Sequence, residues 1–177
     1  MKNTKNIILL PFFVYSLFSK DGRLKTLNNV TPDPFRQSAV AKIGDNPFLL
    51  TNADILHHIN LKKLPKDVKA AHLVGINNPN HNPQGDFSIK DNIVKVDEHK
   101  NDHTWTGVSI INPAIFKDNQ FNKPIFNLWD SVLPNYIKEG VITGEVTTDP
   151  WIDVGTHERL KLANSAVSYT HLRAHET

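Results

Sequence analysis

The sequence predicts an α/β fold in which a largely buried sheet carries functional side chains at its strand ends. Residues 47–51 and 70–76 form two short, mostly apolar runs, which are typical of strands buried on both faces. Residues 125–138 repeat apolar side chains at helical spacing on one face. Strands buried on both faces need cover from such helices, and ligands of open α/β sheets bind beyond the carboxyl ends of the strands.

The composition is that of an ordinary globular domain. The chain has 177 residues, of which 39% are hydrophobic and 21% charged, enough for one domain with a core. Twenty Lys and Arg face 18 Asp and Glu, so the charge predicts no nucleic-acid partner. The absence of cysteine excludes disulfides and thiolate metal sites. It is compatible with a reducing compartment, and we predict a cytoplasmic location.

The amino terminus allows two interpretations. Lys2 and Lys5 precede an apolar run at 7–18, which resembles a short signal peptide but is too short to span a bilayer. No small-residue cleavage pattern follows it. We therefore favour a buried strand or a misjoined segment over an exported leader, and we predict no membrane partner.

The remaining elements follow from turn and capping residues. Pro134 lies inside the predicted helix and should kink or split it near Leu133, and Gly140 should end it. Thr156 can N-cap a last helix that runs through Ala163. The other predicted elements are a loop at 20–37, a helix end at 38–43, a turn at 44–46, a loop at 77–85, a hairpin of 86–89 and 92–96 around Lys90 and Asp91, and strands at 104–112, 141–146 and 151–154.

Two aspartates at predicted strand ends are the first candidates for function. Asp54 follows the strand at 47–51, and Asp153 interrupts the apolar strand that precedes Gly155 and Thr156. Carboxylate oxygens suit a hard cation such as Mg²⁺. The alternative is that both residues only cap turns or a helix.

Histidines and tryptophans offer weaker candidates. His57 and His58 follow Asp54 closely, but adjacent side chains of an extended segment point to opposite sides, so we do not expect them to share one metal ion. Trp105, Trp129 and Trp151 lie on apolar periods, and we interpret them as core residues rather than platforms for a base.

Four segments, in chain order, carry motifs of one family. They are NADILHHINL at 52–61, NNPNHNPQGDF at 77–87, WTGVSIINPAIF at 105–116 and WIDVGTHERL at 151–160. They resemble the N-G-D strand end, the N-P-x-H-N-P-x-G-D-F loop, the F-T-G-I-x-I-L-x-P-x-L-F strand and the W-x-D-V-G-T-P-E-R-L end of sugar-1-phosphate nucleotidyltransferases. Within that family they resemble the branch of N-acetylmuramate-1-phosphate uridylyltransferases and mannose-1-phosphate guanylyltransferases.

The resemblance implies a Rossmann-like mixed sheet with flanking helices, of the nucleotide-diphospho-sugar transferase type. It implies Mg²⁺-dependent transfer of a nucleotidyl group from UTP or GTP to a sugar 1-phosphate, with release of pyrophosphate. Asp54 and Asp153 would be the catalytic residues that hold the metal. The substrate-binding residues implied by the motifs are Asn52, Thr106, Gly107, Asn78 and Asp86.

The chain also departs from the family pattern. The family's G-x-G-x-R-x-x-P-L-T loop, whose amides bind phosphates, has no counterpart in this sequence, and neither has its T-G-G-G turn. Ala53 and His157 replace the usual Gly and Pro. We therefore expect an atypical segment of misjoined or frameshifted origin at 1–40, the carboxyl-terminal part of a nucleotidyltransferase domain at 41–164, and a non-native tail at 165–177.

These departures leave two functions open. The first is a nucleotidyltransferase whose chain, as written, is an inactive fragment with an incomplete amino terminus. The alternative is a non-catalytic sugar-nucleotide-binding or regulatory α/β domain.

Overall fold

The computed structural model describes residues 44–117 and 127–174 of the chain. It also describes two antiparallel two-residue strands, β1 (Leu17–Phe18) and β2 (Leu24–Lys25). Side chains are described as far as residue 165. The helix end predicted at 38–43, most of the loop predicted at 20–37 and the first residues of the predicted helix at 125–138 lie outside the described residues.

Eight further strands are described. Their bounds are β3 Phe48–Thr51, β4 Ile55–His57, β5 Ala71–Asn77, β6 Ser88–Lys90, β7 Ile93–Lys95, β8 His103–Ile111, β9 Ile142–Val146 and β10 Trp151–Asp153. Six of them form one mixed sheet in the order β3–β8–β5–β9–β7–β6. At its centre β5 pairs in parallel with β9 and antiparallel with β8. The other two strands, β4 and β10, form a separate antiparallel ribbon.

Helices join these strands and follow them. They are α1 (Ala114–Lys117), a π-helix (Leu128–Val132) that continues directly into α2 (Leu133–Lys138), and α3 (His157–Ala174). The kink or split predicted near Leu133 corresponds to the change from the π-helix to α2 between Val132 and Leu133. Pro134 occupies the first turn of α2, where a missing N–H costs least. The predicted end at Gly140 is also confirmed: its φ of 69° is a conformation that glycine adopts without strain.

The core lies on both faces of the sheet, as the apolar runs predicted. Phe48 and Leu50 pack in a cluster beneath the π-helix and α2. Leu49, between them in β3, packs on the opposite face with Val74 and Val108. Alternate residues of one strand therefore enter different clusters, which explains why the run contains no polar residue before Thr51. The predicted α/β class, a Rossmann-like mixed sheet with flanking helices, is confirmed.

One strand was missed, and the positions of one turn and one helix end were predicted wrongly. Strand β4 was missed because three residues are too few to show an alternation and because its partner β10 is distant in sequence. The hairpin turn is centred on Asp91 and Asn92, whose φ angles of 53° and 63° match the two-residue turn that asparagine and aspartate favour.

The last helix does not end at Ala163 but continues to Ala174. Residues 164–174 contain neither glycine nor proline, and a missing apolar period predicts exposure rather than a helix end. The predicted domain boundary at Asn164 therefore falls inside α3, and the origin of the tail stays a prediction.

No helix in the described part of the chain is both long enough and apolar enough to cross a membrane. The cytoplasmic location stays a prediction from the composition.

Candidate functional site

The ribbon of β4 and β10 brings the two candidate aspartates together. Asp153, the last residue of β10, pairs with Ile55, the residue after Asp54. The backbone N–H of Val154 donates to the carbonyl oxygen of Asp54 over 2.8 Å. Two residues far apart in sequence are thus fixed at the same end of a short antiparallel ribbon.

Gly155 lies close to both carboxylates. A Cβ atom at this position would lie 3.0 Å from Asp153 Oδ1 and 3.7 Å from Asp54 Oδ2. Glycine therefore lets the backbone pass close to both side chains, and a larger residue at position 155 would press on Asp153. We refer to Asp54 and Asp153 as the carboxylate pair.

The carboxylate pair retains free oxygen atoms. Asp54 Oδ1 is buried and has no hydrogen-bond partner among the described residues. Asp153 Oδ1 accepts from the Gly155 N–H over 2.7 Å and lies 3.3 Å from Arg159 Nη2. Asp153 Oδ2 lies 3.9 Å from His81 Nε2, beyond hydrogen-bond distance. An unpartnered buried oxygen is costly, so the pair has capacity for a ligand.

The carboxylate pair opens into a cleft of about 220 Å³. Its walls come from β4, β8, β10 and the loop that precedes β6. Five of the predicted site residues line it, whereas Asn78 and Gly107 lie behind its surface. The lining residues are Asn52, Asp54, Ile55, His81, Asn82, Asp86, Thr104, Trp105, Thr106, Trp151 and Asp153.

Asn52 and Gly107 form one unit beside the pair. Gly107 has a φ of 78°, and a Cβ there would lie 2.6 Å from Asn52 Cγ. The Asn52 N–H donates to the Gly107 carbonyl oxygen over 3.0 Å. Glycine thus lets the Asn52 side chain lie against β8. Asn52 Oδ1 is buried without a partner in the described part of the chain, so it can accept a hydrogen bond from a ligand.

Thr106 lines the cleft, but its hydroxyl bonds the backbone. It donates to the Val74 carbonyl oxygen over 2.8 Å and accepts from the Val108 N–H over 3.1 Å. The Trp151 indole N–H donates to the Thr106 carbonyl oxygen over 2.9 Å. These bonds fix the rim where β8 meets the ribbon.

The loop at 78–86, which we call the braced loop, is held by its own polar side chains. Asp86 Oδ2 accepts from the Trp105 N–H over 2.8 Å, and Asp86 Oδ1 accepts from Asn82 Nδ2 over 3.0 Å. Asn78 Nδ2 donates to the Asn101 carbonyl oxygen over 2.8 Å. Both Asp86 oxygens are therefore already bonded, and the loop shapes one wall of the cleft.

The sequence interpretation missed several residues of the cleft. Trp105 and Trp151 pack against the core clusters, as predicted, but also line the cleft. Trp105 stacks on Trp129 with ring centroids 5.6 Å apart. His81 and Arg159 lie in the second and fourth motif segments, and this placement was the available signal for them.

The two adjacent histidines, His57 and His58, are not among the residues that line the cleft. His57 Nδ1 accepts from the Ile59 N–H over 3.2 Å. Burial lowers the pKa of His57, and the neighbouring His58 lowers it further. Across residues 44–117 and 127–174, no three His, Asp or Glu side chains converge as a metal-binding group. The described structure thus offers the His pair no further ligand for a transition metal.

Comparison with known proteins adds a sequence relative. No family model matches the chain. It is 34% identical over 136 residues to the N-acetylmuramate alpha-1-phosphate uridylyltransferase of Neisseria meningitidis serogroup B (strain ATCC BAA-335 / MC58). The alignment covers 72% of the chain and 58% of that protein, so the chain spans less than two-thirds of its relative's length.

Solved structures share the fold. A Bacillus anthracis protein described as a glucose-1-phosphate thymidylyltransferase has a TM-score of 0.60 at 17% identity, over 80% of the chain and 62% of that protein. HddC from Yersinia pseudotuberculosis has a TM-score of 0.58 at 21% identity, over 75% of the chain and 60% of HddC. An apo UDP-glucose pyrophosphorylase has a TM-score of 0.56 at 15% identity, over 77% of the chain and 60% of that protein.

Proposed function

Because the chain belongs to the sugar-1-phosphate nucleotidyltransferase family, we propose that it serves Mg²⁺-dependent transfer of a nucleotidyl group to a sugar 1-phosphate. A phosphate oxygen of the sugar forms a bond to the α-phosphorus of a nucleoside triphosphate, and the bond from that phosphorus to pyrophosphate breaks. Such reactions depend on positioning and on neutralisation of charge. The observation that carries the proposal is the carboxylate pair at one end of the β4–β10 ribbon, facing a cleft.

The carboxylate pair fits the cation that this chemistry uses. Its donors are oxygen atoms, which Mg²⁺ prefers, and one of them, Asp54 Oδ1, is buried without a partner in the described structure. Asp54 and Asp153 would hold the ion, which would neutralise charge on the phosphates.

The rest of the cleft would bind and orient the substrates. Asn52 Oδ1 would accept a hydrogen bond from a sugar hydroxyl or a base N–H, since it has no partner among the described residues. Thr106 and Gly107 would shape the rim next to the sugar phosphate. Asn78 and Asp86 would act through the braced loop, because their polar atoms bond neighbouring residues.

The substrate pair is best tested as two alternatives. UTP with N-acetylmuramate 1-phosphate corresponds to the Neisseria relative, and GTP with mannose 1-phosphate corresponds to the other family branch. In either case the nucleotide sugar is the product, and its binding requires fewer groups than the full reaction.

We would titrate the full 177-residue chain with UDP-N-acetylmuramate and with GDP-mannose by calorimetry. We expect binding of one of them at millimolar Mg²⁺, with a loss of about tenfold or more in affinity for Asp54→Asn and Asp153→Asn. Asp67→Asn, an exposed carboxylate outside the cleft, is the matched control. Absence of binding by the wild-type chain at millimolar Mg²⁺ would contradict the proposal.

A second candidate is a non-catalytic sugar-nucleotide-binding domain. It requires only the groups that line the cleft, whereas the full reaction also requires groups that bind the triphosphate. A pyrophosphate-release assay with each substrate pair separates the two candidates. Release that Asp153→Asn abolishes supports the enzyme, whereas binding without release supports the binding domain.

A further inference from the structure

Arg159 approaches the carboxylate pair from the first turn of α3. Thr156 precedes the helix, its Oγ1 accepts from the Arg159 N–H over 3.3 Å, and its carbonyl oxygen accepts from the Leu160 N–H over 2.9 Å. This capping fixes the first turn. The guanidinium then reaches back, with Nη2 at 3.3 Å from Asp153 Oδ1.

The contact is more sheltered than an ordinary surface ion pair. The side chains of Arg159 and Asp153 are 29% and 27% exposed, and Arg159 Nε is buried without a partner in the described part of the chain. Fully exposed pairs are screened by water and hold neither side chain firmly. A partly buried, planar guanidinium restricts the carboxylate more strongly.

Asp153 therefore has two differently used oxygens. Oδ1 is bonded to the Gly155 N–H and contacts Arg159. Oδ2 makes neither of these contacts and lies 3.9 Å from His81 Nε2. Gly155 makes this arrangement possible, because a Cβ there would lie 3.2 Å from Arg159 Nη2 and 3.0 Å from Asp153 Oδ1.

We propose that Arg159 is a positioning residue that fixes Asp153 so that Oδ2 alone faces the cation. This inference rests on the proposed function, because it concerns the same metal site. Ligating carboxylates are commonly oriented by hydrogen bonds from neighbouring groups, and loss of such a partner lowers metal affinity by about 10–100-fold. The guanidinium contacts neither cation nor substrate in this role.

A purely electrostatic role makes the opposite prediction. A positive charge next to Asp153 repels a divalent cation, so its removal alone would strengthen metal binding. A role limited to stabilising the start of α3 would leave metal binding unchanged. Metal affinity therefore distinguishes positioning from both alternatives.

The test is a titration of the full chain with Mn²⁺, followed by electron paramagnetic resonance of the free ion. We expect Arg159→Gln to bind Mn²⁺ about tenfold more weakly than wild type. Arg159→Lys should be intermediate, because it keeps the charge but not the planar fork. Lys161→Gln, exposed on the same helix, should bind as wild type does.

Gly155→Ala tests the same contact with both charges retained. Gly155 is not among the glycines with positive φ, so alanine can adopt its backbone conformation. The added Cβ should separate Arg159 from Asp153 and weaken Mn²⁺ binding to a similar extent. This variant also keeps the inference testable if Arg159→Gln fails to fold, which thermal unfolding would reveal.

The outcomes separate the inference from the proposed function. If Asp153→Asn loses Mn²⁺ binding while Arg159→Gln and Gly155→Ala bind as tightly as wild type or more tightly, the inference is overturned and the metal site stands. If wild-type protein binds no Mn²⁺ at millimolar concentration, the metal site of the proposed function is overturned together with the inference.

Discussion

The carboxylate pair and Asp86 of the braced loop face one cleft but use their oxygen atoms differently. Asp86 accepts hydrogen bonds on both oxygens, from the Trp105 N–H and from Asn82 Nδ2. Asp54 keeps a buried oxygen without a partner among the described residues, and Asp153 directs one oxygen towards His81 at 3.9 Å.

The difference distinguishes a carboxylate that stabilises the fold from one that has an oxygen available for a ligand. A carboxylate whose lone pairs are satisfied by the protein stabilises the backbone around it, whereas an unsatisfied buried oxygen costs free energy until a ligand binds. The same residue type therefore has opposite roles on the two sides of the cleft. Four substitutions follow, from the largest expected effect to the smallest; three act at the cleft and one, at His72, separates the pH response of the core from that of the cleft.

The largest expected effect is that of Gly107→Ala, which acts where Asn52 borders the carboxylate pair. The positive φ and the 2.6 Å approach to Asn52 should together cost about 3 kcal/mol in free energy of unfolding. Urea unfolding measures it. Gly44→Ala is the matched control, because Gly44 has the same φ of 78° but no atom of the described residues within 4 Å of its Cβ position. Equal losses in the two variants would show that the Asn52 contact is unimportant.

Asp86→Asn should destabilise the braced loop by about 2 kcal/mol. Both Asp86 oxygens accept hydrogen bonds, and in asparagine one of them is replaced by an NH₂ group, which would face an N–H donor. The Mn²⁺ affinity of this variant should stay near that of wild type. Asp54→Asn should show the reverse pattern, with little loss in urea unfolding and a large loss of Mn²⁺ binding. Parallel changes in both variants would contradict the division of roles.

The smallest effect concerns His72, which lies outside the cleft. Burial lowers the pKa of this imidazole from its usual 6.5, and Glu145 opposes that shift; Nδ1 bonds Thr143 Oγ1 at 2.9 Å, and Nε2 lies 3.4 Å from Glu145 Oε2. The folded state thus binds fewer protons than the unfolded state, so the stability contributed here is present above the unfolded pKa and is lost as pH falls below it.

Urea unfolding at about pH 7.5 and about pH 5.5 should therefore show a smaller acid loss for His72→Gln than for wild type. His99→Gln, on an exposed loop, should retain the wild-type loss. This result would attribute part of the loss of stability at low pH to His72 in the core. The effect of pH on ligand binding in the cleft could then be interpreted separately. An unchanged loss in His72→Gln would contradict the assignment.

Local signals in the sequence were sufficient for much of the fold. The apolar runs gave β3 and β5, Pro134 gave the start of α2, and Thr156 gave the cap of α3. Each of these features depends on residues that are neighbours along the chain. The predicted helix end at Ala163 failed because residues 164–174 contain no glycine or proline to break the helix.

The site was predicted less completely, because its geometry depends on distant pairs. Asp54 and Asp153 were predicted from their strand ends and motifs, yet their common location depends on the pairing of β4 with β10. The bonding of Asp86 and the packing of Asn52 on Gly107 also join residues from different elements. Periodicity and composition contain no information on such contacts.

The parallel pairing of β5 with β9 has a consequence for how the protein acquires its structure. His72 and Thr143 are partners in this pairing and lie 71 positions apart. Contacts between such distant residues slow folding, because a long loop must close before the contacts form. During synthesis β5 leaves the ribosome well before its neighbour exists, and β10 follows later still. The end of the cleft that holds the carboxylate pair is therefore among the last parts of the described chain to be completed.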